Sequence, residues 1–251
     1  ADRSYGLSVN SDAFRTKGAL TVQLPNGSAE LTAGVASTVQ WNRFGNVAGV
    51  NVYYSTDDGS TYYTSCVSPG AASNAIACNR DFLSGDTDSL TWAPPQTILS
   101  KYGAVANSGY KIKVVDKSDT TVFGLNPEFT VEGQLTVTAP MTNPTWAIGQ
   151  TPDITWDLTQ GNIQNVKIIG SKLGTFDMTL ATDAVGADTF TIVGSTVADN
   201  VTAFSAGATP RGRGKYTWTI ADSYSVGSIL SASVPGTLAV RVLDAAACTA
   251  S

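Results

Sequence analysis

The sequence contains no histidine among its 251 residues. That absence removes Ser-His-Asp and Cys-His nucleophilic catalysis, and imidazole ligation of a metal. Charge is scarce too: 14% of residues are Asp, Glu, Lys or Arg, and the net charge is -5. Such a chain has no basic footprint for nucleic acid or for an anionic membrane surface. No apolar run approaches the roughly 18–20 residues that cross a bilayer as a helix, so no membrane insertion is expected. Helical patterning is nearly absent, with Pro95 to Tyr102 offering a turn or two at most. Two carboxylates would suffice for a glycosidase, but the acids sit in turn contexts such as Asp57-Asp58-Gly59 and Asp86-Thr87-Asp88. Neither an enzyme nor a cofactor is expected.

Cysteine is limited to three residues, none with zinc-like spacing and two further ligands. Cys66 and Cys78 bracket a loop rich in Gly, Ala and Ser. They read as a disulfide, with two reduced structural thiols as the other possibility. Cys248 is left over, as an intermolecular bond or a free thiol. The composition is that of a secreted, extracellular or cell-surface protein, with Ala1 as the residue left after a signal peptide is removed. Asn26-Gly27-Ser28 and Asn200-Val201-Thr202 are acceptor sequons for N-glycosylation, used only where the cell of origin performs that chemistry.

What the chain does have is a repeat, the feature to seek before any other. Phe14 to Val22 and Phe129 to Val137 both read F-x-x-x-G-x-L-T-V, 115 residues apart. Leu20 to Trp41 matches Leu135 to Trp156 in length, and Thr38-Val39-Gln40-Trp41 answers Asp153-Ile154-Thr155-Trp156. Farther on, Asn51 to Ser55 answers Val166 to Ser171, and Ser89-Leu90-Thr91-Trp92 answers Lys215-Tyr216-Thr217-Trp218. Lys111 to Asp116 answers Ala239 to Asp244. The second copy carries insertions, mostly within Ala181 to Gly214. After Asp116 the first copy runs on through Thr121-Val122-Phe123-Gly124-Leu125 to Phe129, a strand the second copy is expected to lack. At the front, Tyr5, Leu7 and Val9 alternate with Gly6 and Ser8, the period of a half-buried strand. Asp2-Arg3-Ser4-Tyr5-Gly6-Leu7 also resembles Asp116-Lys117-Ser118 followed by Phe123-Gly124-Leu125.

Each copy is rich in short β-prone runs broken by Gly, Pro, Asn and Asp, which predicts a sandwich of about seven strands. In the first copy these are Leu20–Leu24, Ser37–Trp41, Val50–Ser55, Thr61–Thr64, Ser89–Trp92, Tyr110–Val115 and Val122–Val131. Pro25-Asn26-Gly27, Trp146-Ala147-Ile148-Gly149, Ile154-Thr155-Trp156, Tyr54-Ser55-Thr56-Asp57-Asp58-Gly59 and Tyr216-Thr217-Trp218-Thr219-Ile220 carry a further likeness. On these pieces both copies resemble the immunoglobulin-like repeats of prokaryotic cell-surface proteins. The resemblance implies an all-β chain of two tandem sandwich domains and specifies no activity. The expected division is residues 1–17 as an N-terminal donor strand, 18–132 as the first sandwich and 133–251 as an incomplete acceptor sandwich.

Ser55-Thr56-Asp57-Asp58-Gly59-Ser60-Thr61-Tyr62 matches the Asp-box, a folding element of a hairpin in the families that carry it. Asp57 and Asp58 lack the further oxygens a calcium ion needs. Trp41, Trp92, Trp156 and Trp218 are expected in the cores, and Trp146 stands at the place of Leu31. Tyr53, Tyr54, Tyr62 and Tyr63 are the better candidates for a glycan contact, since neighbours on a strand face opposite sides. Arg211-Gly212-Arg213-Gly214 is too short for a nucleic-acid tract. The expected function is that of a structural subunit of an extracellular, pilus-like filament. Tyr5, Leu7, Val9 and Phe14 would complete the second sandwich of an identical subunit beside the strand bearing Val240 and Val242, as in donor-strand complementation. Its rivals are a piece of a longer covalent array, an adhesin or glycan-binding module, and a surface-layer or virion component.

Overall fold

The computed structural model describes residues 12–13, 15–66, 75–82, 85–97, 109–141, 144–147, 149–171, 189–197, 212–220 and 239–245. Among them the regular elements are strands, and the chain is all-β. In the first sandwich, β1 (Ala19–Leu24), β3 (Ser37–Phe44) and β6 (Thr87–Trp92) form one antiparallel sheet in the order β1-β3-β6. The facing sheet runs β5-β4-β7-β8, from β4 (Gly49–Ser55), β5 (Ala77–Asp81), β7 (Lys111–Asp116) and β8 (Phe123–Leu125). A short parallel pair, β2 (Glu30–Thr32) with β9 (Thr130–Glu132), ties the beginning of this sandwich to its end. Alternate side chains point inward: Leu20 and Val22 from β1, Val39 and Trp41 from β3, Val50, Val52 and Tyr54 from β4, Ile112 and Val114 from β7. They meet in one buried cluster.

The second sandwich has β10 (Gln134–Ala139), β11 (Asp153–Gln160) and β14 (Gly212–Thr217) in the order β10-β11-β14. Facing it are β12 (Asn165–Ser171), β13 (Thr189–Val197) and β15 (Ala239–Asp244) in the order β13-β12-β15. It has its own buried cluster around Trp156, Ile154, Ile168 and Trp218. The two sandwiches keep one register. Val22 stands opposite Trp41 and Val137 opposite Trp156. Ser37 pairs with Trp92, and at the same step Trp218 donates its backbone N–H to the carbonyl of Pro152 at 2.9 Å. Val50 faces Asp116 as Val166 faces Asp244, and Ser55 faces Lys111 as Ser171 faces Ala239.

Two strands differ from the sequence reading. Thr61–Thr64 is not a strand: only Tyr63 touches β4, through an isolated bridge to Tyr54. The Thr61 N–H donates to Asp57 Oδ1 at 2.8 Å, so this stretch is held by its own turn instead of extending along β4. β5 takes the place beside β4, anchored by Cys78. The run Val122–Val131 is broken into β8 and β9. Asn126 interrupts it by placing its side-chain Oδ1 where a ladder carbonyl would accept the Ile112 N–H, at 2.6 Å.

Cys66 and Cys78 form a disulfide, with Cα atoms 5.8 Å apart and a sequence separation of 12. Closing a loop of that size stabilises by about 3 kcal/mol on the chain-entropy account. Such a bond fits an oxidising, non-cytoplasmic environment. Cys248 lies outside the described residues.

Candidate functional site

The site is the outer edge of β15. In the first sandwich β7 is paired on both sides, with β4 on one edge and β8 on the other. Its counterpart β15 pairs with β12 on one edge and, among the described residues, with no strand on the other. The same gap appears across the groove. β2 has β9 as a parallel partner, whereas residues 144–147, which hold the matching place, carry no strand pairing among the described residues.

Side chains register the gap. Leu20 and Val22 are 5% and 9% exposed beneath β8. Their repeat partners Leu135 and Val137 on β10 are only half-buried. Ile112 is fully buried, and its partner Val240 is half-buried. Val242 is buried, and Trp146 lies half-buried with its ring edge toward Trp218, the centroids 6.3 Å apart. Met141, two residues past the end of β10, is 62% exposed. Leu135, Val137, Trp146 and Val240 thus line an apolar groove beside β15, whose outer edge meets no strand among the described residues, and an open sheet edge is a place for strand addition.

The first sandwich displays what fills such a groove. Val122, Phe129 and Val131 are buried there, and Gly124 is buried so close to β1 that a Cβ would meet the Leu20 carbonyl oxygen at 2.6 Å. Phe123 and Leu125 point outward. Asn126 donates from Nδ2 to the Pro25 carbonyl at 3.1 Å, locking this segment to the chain after β1. The sequence candidates for the same role in the second sandwich, Tyr5, Leu7, Val9 and Phe14, lie outside the described residues.

Of the remaining candidates, the four tryptophans are core residues. Trp41 and Trp156 are fully buried, and Trp92 and Trp218 nearly so. Tyr54 is buried beneath Tyr63, the rings stacked with centroids 4.5 Å apart, while Tyr53 and Tyr62 are half-buried. The carboxylate of Asp57 accepts from the hydroxyls of Ser55 and Thr61, each at 2.7 Å, and Asp58 pairs with Lys111 at 2.6 Å. The Thr61 bonds, first of all its hydroxyl, hold the Asp57 carboxyl below the usual range. A depressed folded-state pKa stabilises above the ordinary carboxylate value, and that contribution is lost as pH falls through the lowered one. Acidification is therefore expected to raise amide exchange at Thr61 only well into the acid range. An Asp57→Asn variant should exchange faster already at neutral pH. Equal exchange in the variant and the parent would mean that the carboxylate does not hold the turn.

No family model matches the sequence, and no curated protein matches it either. Among solved structures it is similar to the fibronectin(III)-like modules of CbhA from Clostridium thermocellum, at 16% identity over 80% of this chain and 78% of that one, TM-score 0.21. It is also similar to a marsupial T cell receptor, at 16% identity over 70% of this chain and 83% of that one, TM-score 0.29. Scores so low carry no argument about overall arrangement. Strand order and register define the class directly: the chain is built of immunoglobulin-like β-sandwiches. No helix among the described residues is long and apolar enough to cross a membrane.

Proposed function

We propose that this protein is the structural subunit of an extracellular filament, in which residues 1–17 of one copy complete the second sandwich of the next. The observation that carries this reading is the edge of β15, where no strand pairs among the described residues, whereas its counterpart β7 has β8. The repeat supports it from the other side. Phe14 stands at the place of Phe129, which is buried at the end of the first sandwich, so residues before Phe14 fall where Val122 to Glu128 fall. A contact that joins the front of one copy to the back of another does not close on itself and generates a linear polymer. The chemistry is strand addition at an open sheet edge, with alternate side chains read by the groove. The role is mechanical, with identical subunits as partners and no catalysis.

Native mass measurement on the purified protein, before and after boiling in detergent, tests the reading. A ladder of subunit multiples that collapses to the mass of one chain on boiling is the expected outcome. A ladder that survives boiling under reducing conditions would point to a covalent array instead. A single monomer mass at every concentration would refute assembly altogether.

A further inference from the structure

The joint inside the chain has two halves, and each half recurs in the other sandwich, where no such partner meets it among the described residues. One half is the leading corner of the second sandwich, built from Gly133, Gln160, Gly161 and Ile163. A Cβ on Gly133 would meet Ile163 Cγ1 at 2.6 Å and the Gln160 carbonyl at 3.0 Å, and Gly161 turns there with φ +73°. The first sandwich has the same corner in Gly18, Phe44, Gly45 and Val47. A Cβ on Gly18 would meet Val47 Cγ2 at 2.7 Å and the Phe44 carbonyl at 3.1 Å, and Gly45 turns with φ +75°. Only glycine adopts that left-handed turn without strain.

The other half is the trailing corner of the first sandwich, where Gly34 donates its N–H to the Pro94 carbonyl at 2.6 Å. In the second sandwich Gly149 donates to the Ile220 carbonyl at 2.9 Å, with φ +85° against +76° at Gly34.

Within the chain the two halves meet. The Gly161 N–H donates to Gln96 Oε1 at 2.7 Å, and Gln96 Nε2 donates to Gln160 Oε1. A Cβ on Gly161 would lie 3.3 Å from Ala33 Cβ, beside Gly34. Gly161 is consequently buried, while its twin Gly45 is exposed and Phe44, the twin of Gln160, is 56% exposed. Around Gly34 the side chains of Gln96 and Gln160 crowd in; around Gly149 no heavy atom of the described residues lies within 4 Å of a built Cβ.

We infer that the Phe44–Gly45 corner of one copy docks on the Gly149 corner of another copy, so that the joint between subunits repeats the joint between sandwiches. The inference rests on the proposed head-to-tail assembly but draws on residues other than the donor strand. It makes the filament a chain of near-equivalent joints, one within and one between subunits, with a second copy as the occupant of both open corners. Phe44 would supply apolar cover where Gln160 supplies an amide.

A photo-crosslinking phenylalanine analogue placed at position 44 tests it in assembled fibres. Irradiation is expected to join position 44 to a peptide of another copy that contains Gly149 or Ile220. The same analogue at position 160 should join to the peptide carrying Gln96 of its own chain, which calibrates the reach. Fibres in which position 44 yields no intermolecular product, or products only elsewhere, would overturn the docking while leaving strand addition standing. A parent protein that forms no fibres would instead remove the reading on which the docking rests.

Discussion

A protein lacking residues 1–17 is expected to remain monomeric while its first sandwich stays folded. The first sandwich owns β8 and β9, and among the described residues its buried core draws on none before Leu20. The described contacts it loses include the Lys17–Asp119 ion pair at 2.9 Å and the hydrogen bond that Lys17 Nζ donates to Thr121 Oγ1 at 2.5 Å, both exposed and of the kind that contributes little. On the proposed assembly the second sandwich, in contrast, would lose its partner strand. Counting back from Phe14 on the Phe129 frame sets Leu7 at the place of Val122, which is 6% exposed, and Phe14 at a place that is 1% exposed. Burying such side chains is worth about 1.5–3 kcal/mol apiece, and pairing along β15 adds backbone hydrogen bonds. Sedimentation of the truncated protein should therefore give one species, and its circular dichroism should retain the first sandwich. Supplying residues 1–17 as a peptide, or fusing them after Ser251, should cap the groove and also yield monomers. Fibres from the truncated protein would end the strand-donation account.

The frame itself is testable, because a shift by an odd number of residues turns every side chain to the other face. On the Phe129 frame Leu7 points into the groove, so Leu7→Asp should abolish polymerisation and Ser8→Asp should leave it intact. The likeness of Tyr5-Gly6-Leu7 to Phe123-Gly124-Leu125 defines a frame shifted by three. There Gly6 would take the tight place of Gly124, and Tyr5 and Leu7 would stand outside, as Phe123 and Leu125 do at 45% and 46% exposure. A tolerated Leu7→Asp together with a damaging Gly6→Leu would select that second frame.

The tryptophans and the repeat were legible because each is a local pattern copied twice. Trp41 and Trp156 sit on strands of strict alternation, and their partners at Trp92 and Trp218 are fixed by the same register. The Cys66–Cys78 bond was legible from the isolation of the pair. Less legible was β5, because nothing in Ala77–Asp81 distinguishes it from Thr61–Thr64 as the neighbour of β4. The choice is made by Asp57, which captures the Thr61 N–H and withdraws that stretch from pairing. The parallel pair of β2 with β9 joins residues a hundred apart and has no local signature. The glycine of the F-x-x-x-G-x-L-T-V motif was visible from the start, but its purpose was not. Only the packing of Gly18 on Val47 and of Gly133 on Ile163 explains why a side chain is forbidden there.

Replacing Trp156 by alanine is expected to unfold the second sandwich of an unassembled subunit, whereas Trp41→Ala should weaken the first without unfolding it. Both indoles are fully buried, and removing one from a packed core costs about 3–5 kcal/mol. The same cost falls on unequal margins, since small domains hold only about 5–15 kcal/mol of stability. The first sandwich has its full set of strands and the Cys66–Cys78 bond, and Trp41 is further braced by the Phe82 ring edge, with centroids 6.5 Å apart. The second has a groove that no strand covers among the described residues, and Gly214 is pressed against the face that Trp156 presents to β14. Denaturant unfolding of the 1–17 truncation should accordingly lose its less stable transition in Trp156→Ala and keep both in Trp41→Ala. Adding the 1–17 peptide should restore part of the lost transition, because a ligand that binds only the folded sandwich stabilises it by mass action. A change below about 1 kcal/mol in either variant, well under the cost of an indole-sized cavity, would mean that these indoles do not carry their cores. Failure of the peptide to rescue Trp156→Ala, in a protein whose groove it caps in the parent, would separate the core of the second sandwich from its open edge.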